Sequence, residues 1–361
     1  MITAIHLDEQ SGLRGGEQQA AWLVRGLAGR GVKNILVGRP GEPFLAMHPD
    51  LENLVREPLP LRGEWDLYSA CRLAKLARAH GADVLHAHTS HAHGIGCLAL
   101  LLGAPFRLVV SRRVNFMPGG NPFNRWKYHR ADRILCVSGA VEETLARYGL
   151  ASPRIKTVHS AVDLERALMP PVPRASLGIP EDAPFLFSAG SLVDHKDHAN
   201  LLKAFAQVRA SFPDARLCLA GDGNLRAELE ELRGKLHLDT AVQFLGYRKD
   251  APGICRSADV YVSSSWSEGL GTSILEALAA GTPVVAAEAG GAAEMVIPGQ
   301  TGFLVPTRNP EALAKAITAS LQDREAARRM AQAGMELARQ RFSVERMVQG
   351  TFETYLELKT G

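Results

Sequence analysis

Short apolar runs alternate along the chain with longer segments whose apolar positions recur every three to four residues. Residues 2–7, 32–37, 83–88, 107–110 and 133–137 read as buried strands. Residues 16–30 read as a helix with Ala20, Leu23, Val24 and Leu27 on one face, and 66–80 as a helix with Leu73, Leu76 and Ala77 inward. Alternation of this kind predicts βαβ units and a parallel sheet. It breaks at 162–184, where Pro170, Pro171, Pro173, Pro180 and Pro184 crowd together and predict a linker. It then restarts, with strands at 185–188, 216–220, 242–245, 260–263 and 283–287, and helices at 198–212, 224–235 and 271–280. The expected fold is α/β, with two doubly wound, Rossmann-like domains facing across a cleft. We place them at 1–165 and 166–342, followed by an amphipathic C-terminal helix in 343–361, for which crossing back to the first domain and an ordinary terminal helix are equal readings.

Composition narrows the function classes. With 361 residues, 46% hydrophobic and 22% charged, the chain has ordinary globular content. No apolar run is long enough to span a bilayer, and the N-terminus lacks the charge and apolar stretch of a signal peptide. The five cysteines, Cys71, Cys97, Cys136, Cys218 and Cys255, are widely spaced with no Cys-x-x-Cys, which predicts reduced thiols and a cytoplasmic protein. The net charge of +3 conceals a basic stretch containing Arg107, Arg112, Arg113, Arg125, Lys127, Arg130 and Arg133. Phe106, Phe116, Phe123, Trp126 and Tyr128 are interleaved with it. Beyond a solvated face, this stretch suits an anionic acceptor or an anionic lipid leaflet, such as the inner face of a membrane. No nucleic-acid-binding motif accompanies it, so nucleic acid is not expected as a partner.

The sharpest chemical signal is Ser267-Glu-Gly-Leu-Gly-Thr-Ser-Ile-Leu-Glu276. A strand ends just before it, Glu268, Gly269, Leu270 and Gly271 form a tight turn, and a helix begins near Thr272. The unpaired N–H groups of Gly271, Thr272 and Ser273 make a positive helix end suited to a diphosphate. Glu268 and Glu276 would repel phosphate but accept hydrogen bonds from hydroxyls, as on a hexose and a ribose. Ser138 reads as the N-cap of a helix, with a role in holding an acceptor as the sharper alternative. Histidines cluster at 86, 88, 91 and 93 and again at 195 and 198. A metal ranks low, because no third ligand lies nearby in sequence and no Asp-x-Asp occurs.

These residues resemble the Glu-x7-Glu motif of retaining GT-B glycosyltransferases, family 4, also called glycosyl transferases group 1. Ala220-Gly-Asp-Gly223, Phe244-Leu-Gly-Tyr247, Ala289-Gly-Gly-Ala-Ala-Glu294 and Gly302-Phe-Leu-Val305 follow the family's order, and Gly15-Gly16 resembles its glycine loop. The resemblance implies a nucleotide-sugar donor bound by Gly15, Gly16, Gly190, Ser191, Lys196, Gly221, Tyr247, Glu268–Gly271, Thr272, Ser273 and Glu276. Lys196 would neutralise the diphosphate, with the ribose on Glu276 and His88 near the reacting sugar carbon. His88, Lys196 and Glu268 are thus the implied catalytic residues. Most members carry an arginine where this chain has Ser191, a departure for which Arg112 or Arg113 is the expected substitute. Arg112, Arg113 and Ser138 are also the candidates for acceptor binding.

The resulting expectation is a metal-independent, retaining glycosyltransferase with no cofactor beyond its nucleotide-sugar co-substrate. Its acceptor would be a glycan or lipid-linked glycan, as in lipopolysaccharide or other envelope polysaccharide synthesis. A sugar-nucleotide 2-epimerase of the same fold and a non-catalytic glycan- or nucleotide-binding protein are the alternatives. A nicotinamide oxidoreductase is disfavoured for lack of the Gly-x-Gly-x-x-Gly fingerprint.

Overall fold

The computed structural model describes residues 1–12, 15–51 and 54–360. The chain divides into two compact units, Met1–Ser160 together with Val344–Gly361, and Ala161–Ser343. Among the described residues, unit 1 holds seven parallel strands. They are β1 Thr3–Leu7, β2 Lys33–Gly38, β3 Val55–Pro58, β4 Val84–Ala87, β5 Arg107–Arg112, β6 Arg133–Cys136 and β7 Ile155–Thr157. The helices between them are α1 Gly15–Ala28, α2 Pro43–Ala46, α3 Leu67–His80, α4 Ser90–Leu101, α5 Pro122–Arg130 and α6 Gly139–Arg147.

Unit 2 begins with α7 Leu164–Ala167 and continues β8 Phe185–Ala189, α8 His198–Ser211, β9 Arg216–Ala220, α9 Arg226–Lys235 and β10 Val242–Gly246. It is completed by α10 Ala251–Ser257, β11 Val260–Ser263, α11 Thr272–Ala279, β12 Val284–Ala287, β13 Phe303–Val305, α12 Pro310–Gln322 and α13 Arg324–Arg341. The last helix, α14 Val344–Thr360, belongs to unit 1.

The strand orders are β3-β2-β1-β4-β5-β6-β7 and β10-β9-β8-β11-β12-β13. In each sheet the order reverses beside the first strand, between β1 and β4 and between β8 and β11. That is where the loops leaving the strands' carboxyl ends diverge and leave room for a ligand. Both sheets are largely buried on both faces, and the unit 1 sheet also buries His6, Asn34 and His86. In unit 2, Leu186, Leu217, Leu219, Val260 and Val262 pack against Leu201, Leu202, Phe205 and Val208 of α8 and Leu313 and Ile317 of α12.

Helix starts follow local side-chain chemistry. Asp66, Thr89, Asn121, Ser138 and Asn309 each accept a hydrogen bond from a backbone N–H in the first turn of the helix that follows. Helix α3 stops at Gly81, whose φ of 58° is left-handed and ends the turn.

The Pro-rich stretch is not a free linker, a correction to the sequence expectation. The chain changes unit earlier, at Ser160, and the prolines pack on unit 2. Val172 N donates to Gly253 O at 3.0 Å, and Arg256 Nη1 donates to the carbonyls of Leu168 and Met169 at 2.8 and 2.9 Å. A Cβ at Gly253 would lie 2.6 Å from Pro170 O, so only glycine allows this approach.

Helix α14 closes unit 1. Val348 lies where a Cβ on Gly26 of α1 would meet it at 2.4 Å. Glu357 pairs with Arg133 and Lys156, and Lys359 with Asp83. The segments entering and leaving unit 2 run side by side, with Val162 N donating to Phe342 O at 2.9 Å.

Candidate functional site

At the switch point of unit 2, the loop after β8 and the loop after β11 meet through one ion pair. Lys196 Nζ lies 2.6 Å from Glu268 Oε1, with the two side chains 19% and 10% exposed. Lys196 is presented by a 3-10 turn, Asp194–Lys196, that ends at Asp197 with φ 49°. Asp197 then caps α8 by accepting from Asn200 N, so the strained residue sits between the lysine and the helix. Ser264 Oγ donates to Lys196 O at 2.9 Å, and Trp266 N donates to His195 O at 2.9 Å, tying the two loops at the backbone as well.

The glycines expected at this site touch one another. A Cβ on Gly221 would lie 1.9 Å from Gly190 O, and one on Gly190 would lie 3.5 Å from Lys196 Cε. Gly221 N donates to Gly246 O at 2.8 Å, which brings Tyr247, 74% exposed, to the edge of the same loop cluster. Gly271 is the N-cap of α11, left-handed at φ 95° and with no side-chain cap. The first turn of α11 thus keeps its anion-binding character. Glu268 does not cap this helix; its carboxylate is turned to Lys196. Glu276 lies one turn further on, where burial pushes its carboxyl up while Arg166 of the α7 segment pulls it down. Ser191 is exposed on the loop after β8.

In unit 1 the switch point collects a second group. β1 and β4 pair in parallel with His6 opposite His86. Asp8 and Glu9 follow β1, and His88 follows β4; all three are buried. Burial lifts the Asp8 carboxyl to about 7, although Gln10 N donates to its Oδ1 at 2.8 Å. Arg113 lies over Gly16, where a Cβ would stand 3.6 Å from its Cδ. Its Nη2 is 3.5 Å from His88 Nδ1. Burial lowers Arg113 to about 10, and the charges of Asp8 and Glu17 oppose that shift. Gly15 and Gly16 are the first two residues of α1.

Three expectations are corrected here. Arg112 is consumed inside unit 1: Nη1 donates to Tyr128 Oη at 2.7 Å, Nη2 to Phe116 O at 2.5 Å, and its guanidinium lies over the Phe116 ring. Only Arg113 of the expected pair reaches the switch point. Lys127 is buried, paired with Glu64 and hydrogen-bonded to Ser90 Oγ at 3.1 Å. The exposed cations of that stretch are Arg107, Arg125 and Arg130. His86 and His88 do have a third neighbour, His6, whose ring nitrogens lie within 4.8 Å of theirs. The described hydrogen bonds account for the cluster: His86 contacts Tyr355 Oη at 2.7 Å and Ser111 Oγ at 2.8 Å, and His6 joins His88 at 3.1 Å.

Ser138 is fully buried and caps α6, accepting from Val141 N at 3.2 Å. His93 contacts Lys127 O at 2.9 Å through Nε2, and burial lowers it to about 3.

Residues 13–166 match the Glycosyltransferase Family 4 pattern and residues 172–337 match Glycosyl transferases group 1. The chain belongs to the group 1 glycosyl transferases. The lipopolysaccharide core biosynthesis glycosyltransferase LpsE of Rhizobium meliloti is 29% identical over 360 residues, 99% of this chain and 98% of that protein. HepE of Anabaena, solved in complex with UDP and glucose, has a TM-score of 0.84 at 23% identity, covering 99% of this chain and 100% of that one. A glycosyltransferase from Rickettsia africae has a TM-score of 0.87 at 20% identity, covering 99% and 98%. The fold is therefore GT-B, with two Rossmann-like units, and the protein is a glycosyltransferase.

Two residues beside these switch points do not stand out in the sequence of this group 1 transferase. His6 lies within a strand pattern, where it reads as one more buried position. Arg308, on the loop after β13, holds its guanidinium 4.5 Å from the Trp266 ring centroid and carries charge toward Asp197. Only the strand order brings that loop to the Lys196 turn. Among the described residues, no helix is long and apolar enough to cross a membrane.

Proposed function

We propose that the protein is a retaining, metal-independent glycosyltransferase that takes its sugar from a nucleotide-sugar donor. The observation that carries this reading is the Lys196–Glu268 pair beside the uncapped start of α11. A lysine and a helix end supply two positive elements for a diphosphate, and Glu268 and Glu276 supply acceptors for sugar and ribose hydroxyls. In such a reaction the enzyme contributes position and charge stabilisation on the leaving phosphate rather than a carboxylate nucleophile. The likeness to LpsE supports a place in lipopolysaccharide core or other envelope glycan synthesis. UDP is the first nucleotide to test, because HepE is described with it.

Calorimetric titration with UDP, GDP and ADP, followed by UDP-sugars with glycan acceptors in excess EDTA, tests the proposal. Nucleotide binding and transfer in EDTA, with the donor's anomeric configuration kept in the product, are the expected results. Transfer that stops in EDTA and returns with magnesium, or a product of inverted configuration, would overturn the corresponding part.

A further inference from the structure

Buried between β1, β2 and β4 is a chain of hydrogen bonds whose protons can run in only one direction. It starts at Asn34. Its Nδ2 faces two carbonyls, Val24 O at 3.3 Å and Val32 O at 3.2 Å, and its Oδ1 faces His6 Nε2 at 3.0 Å. The opposite amide orientation would set Oδ1 against two carbonyl oxygens, so Oδ1 must be the acceptor toward His6. His6 therefore carries its proton on Nε2. His6 is fully buried, and burial holds it neutral by lowering it to about 4. Its Nδ1 is then a bare lone pair. The atom facing that lone pair, at 3.1 Å, is His88 Nε2, which must donate. The two rings are nearly parallel, 12° apart. Burial holds His88 neutral as well, so its Nδ1 is bare in turn and faces Arg113 Nη2 at 3.5 Å. That last contact is long for a hydrogen bond, so the Nδ1 lone pair is only weakly engaged. His86, stacked on His88 with centroids 4.4 Å apart, differs: both its partners are hydroxyls, which suit either tautomer.

We propose that Asn34 and His6 are positioning residues that lock His88 in its Nε2–H form and so keep its Nδ1 as a permanent acceptor at the switch point of unit 1. The species that Nδ1 takes is a hydroxyl-bearing ligand, a sugar or acceptor alcohol, which donates a proton to the hydrogen bond now weakly supplied by Arg113. His88 in this form cannot donate to such a ligand and cannot act as its general acid. The ligand assignment rests on the reading of the protein as a glycosyltransferase, whereas the tautomer assignment rests on the hydrogen-bond geometry and on the burial that keeps both rings neutral.

Two-bond proton–nitrogen correlation spectra of protein labelled with 15N-histidine test the relay without any ligand. Both His6 and His88 should show a protonated Nε2 and a bare Nδ1, unchanged when Zn2+ is added. His6→Phe, which removes the acceptor, should turn His88 into a mixture of tautomers. Asn34→Leu, which removes the acceptor facing His6 Nε2, should lose the wild-type pattern. A protonated Nδ1 on wild-type His88, or zinc-induced loss of these signals, would overturn the relay, and neither measurement depends on a variant folding. For its role, UDP-sugar turnover in His6→Phe should fall about tenfold in kcat, with UDP affinity unchanged. Altered His88 spectra with unchanged kcat would overturn the positioning role. A wild type that turns over no UDP-sugar would instead count against the proposed function, and the relay would stand or fall on the spectra.

Discussion

Lys196 and Glu268 were separately legible in the sequence, but their pairing was not. The lysine lies five residues beyond Ser191 and the glutamate opens the Gly-x-Gly turn, with nothing in either segment announcing the other. The parallel pairing of β8 with β11 puts their following loops together. Because each charge is mostly removed from water, each needs its partner. Lys196→Ala is expected to weaken UDP binding about ten- to hundredfold, the worth of a charge-assisted hydrogen bond at about 1.5–3 kcal/mol. In a double-mutant cycle with Glu268→Gln, the losses should be clearly less than additive, as for groups in contact. Additive losses by calorimetry would mean that the two act separately. Arg112 was misjudged for the opposite reason. It ends β5, and sequence does not disclose that Tyr128 and the Phe116 carbonyl take up its donors.

At the scale of elements, most strands and several amphipathic helices were legible because their periods were clear, although α12 and α13, both amphipathic, were not among them. Helix α4 was missed because its 12 residues are apolar almost all round, and a helix buried on every side has no polar face to mark its period. The strands β7 and β13 were missed because three residues carry too little pattern. The Gly-Asp-Gly turn was recognised by resemblance, and its physical reason is now visible. Gly221 has φ 135°, and a Cβ there would collide with Gly190 O. Gly221→Ala should therefore destabilise unit 2 by at least about 2 kcal/mol, lowering its melting temperature by roughly 4–8 °C. A melting temperature within a degree of wild type would contradict this. On α5, the charges divide by burial. Arg125→Glu with Arg130→Glu should reduce sedimentation with anionic liposomes and leave thermal stability nearly unchanged. Lys127→Ala should instead destabilise the fold, because it leaves Glu64 without its cation. Equal liposome binding by wild type and the double variant would return the exposed arginines to an ordinary solvated face.

For the whole molecule, acid is the revealing stress. His6, His86, His88, His93 and His198 are all lowered by burial, so below about pH 6.5 the unfolded chain takes up protons that the folded one refuses. Each such histidine costs about 1.4 kcal/mol of stability per pH unit between its unfolded value and its folded one. Asp8 works the other way: raised to about 7, it binds its proton more tightly when folded and gains stability as pH falls toward 3.8. Burial also raises Glu276 and Asp197, which act with Asp8, but the five histidines outnumber these three carboxyls, so the melting temperature should drop steadily from pH 6.5 to 5. A flat or rising profile in calorimetry would contradict the burial of those rings. Helix α14 carries a different consequence, for synthesis on the ribosome. Residues 1–160 emerge before unit 2, yet the helix that packs against Gly26 and contacts His86 through Tyr355 emerges after it. A nascent chain halted before residue 344 should present a protease-resistant second unit and a first unit still open to cleavage. The usual vectorial order, in which the leading domain is finished first, is reversed here, and a chaperone that binds exposed apolar surface would find it on the older half of the chain.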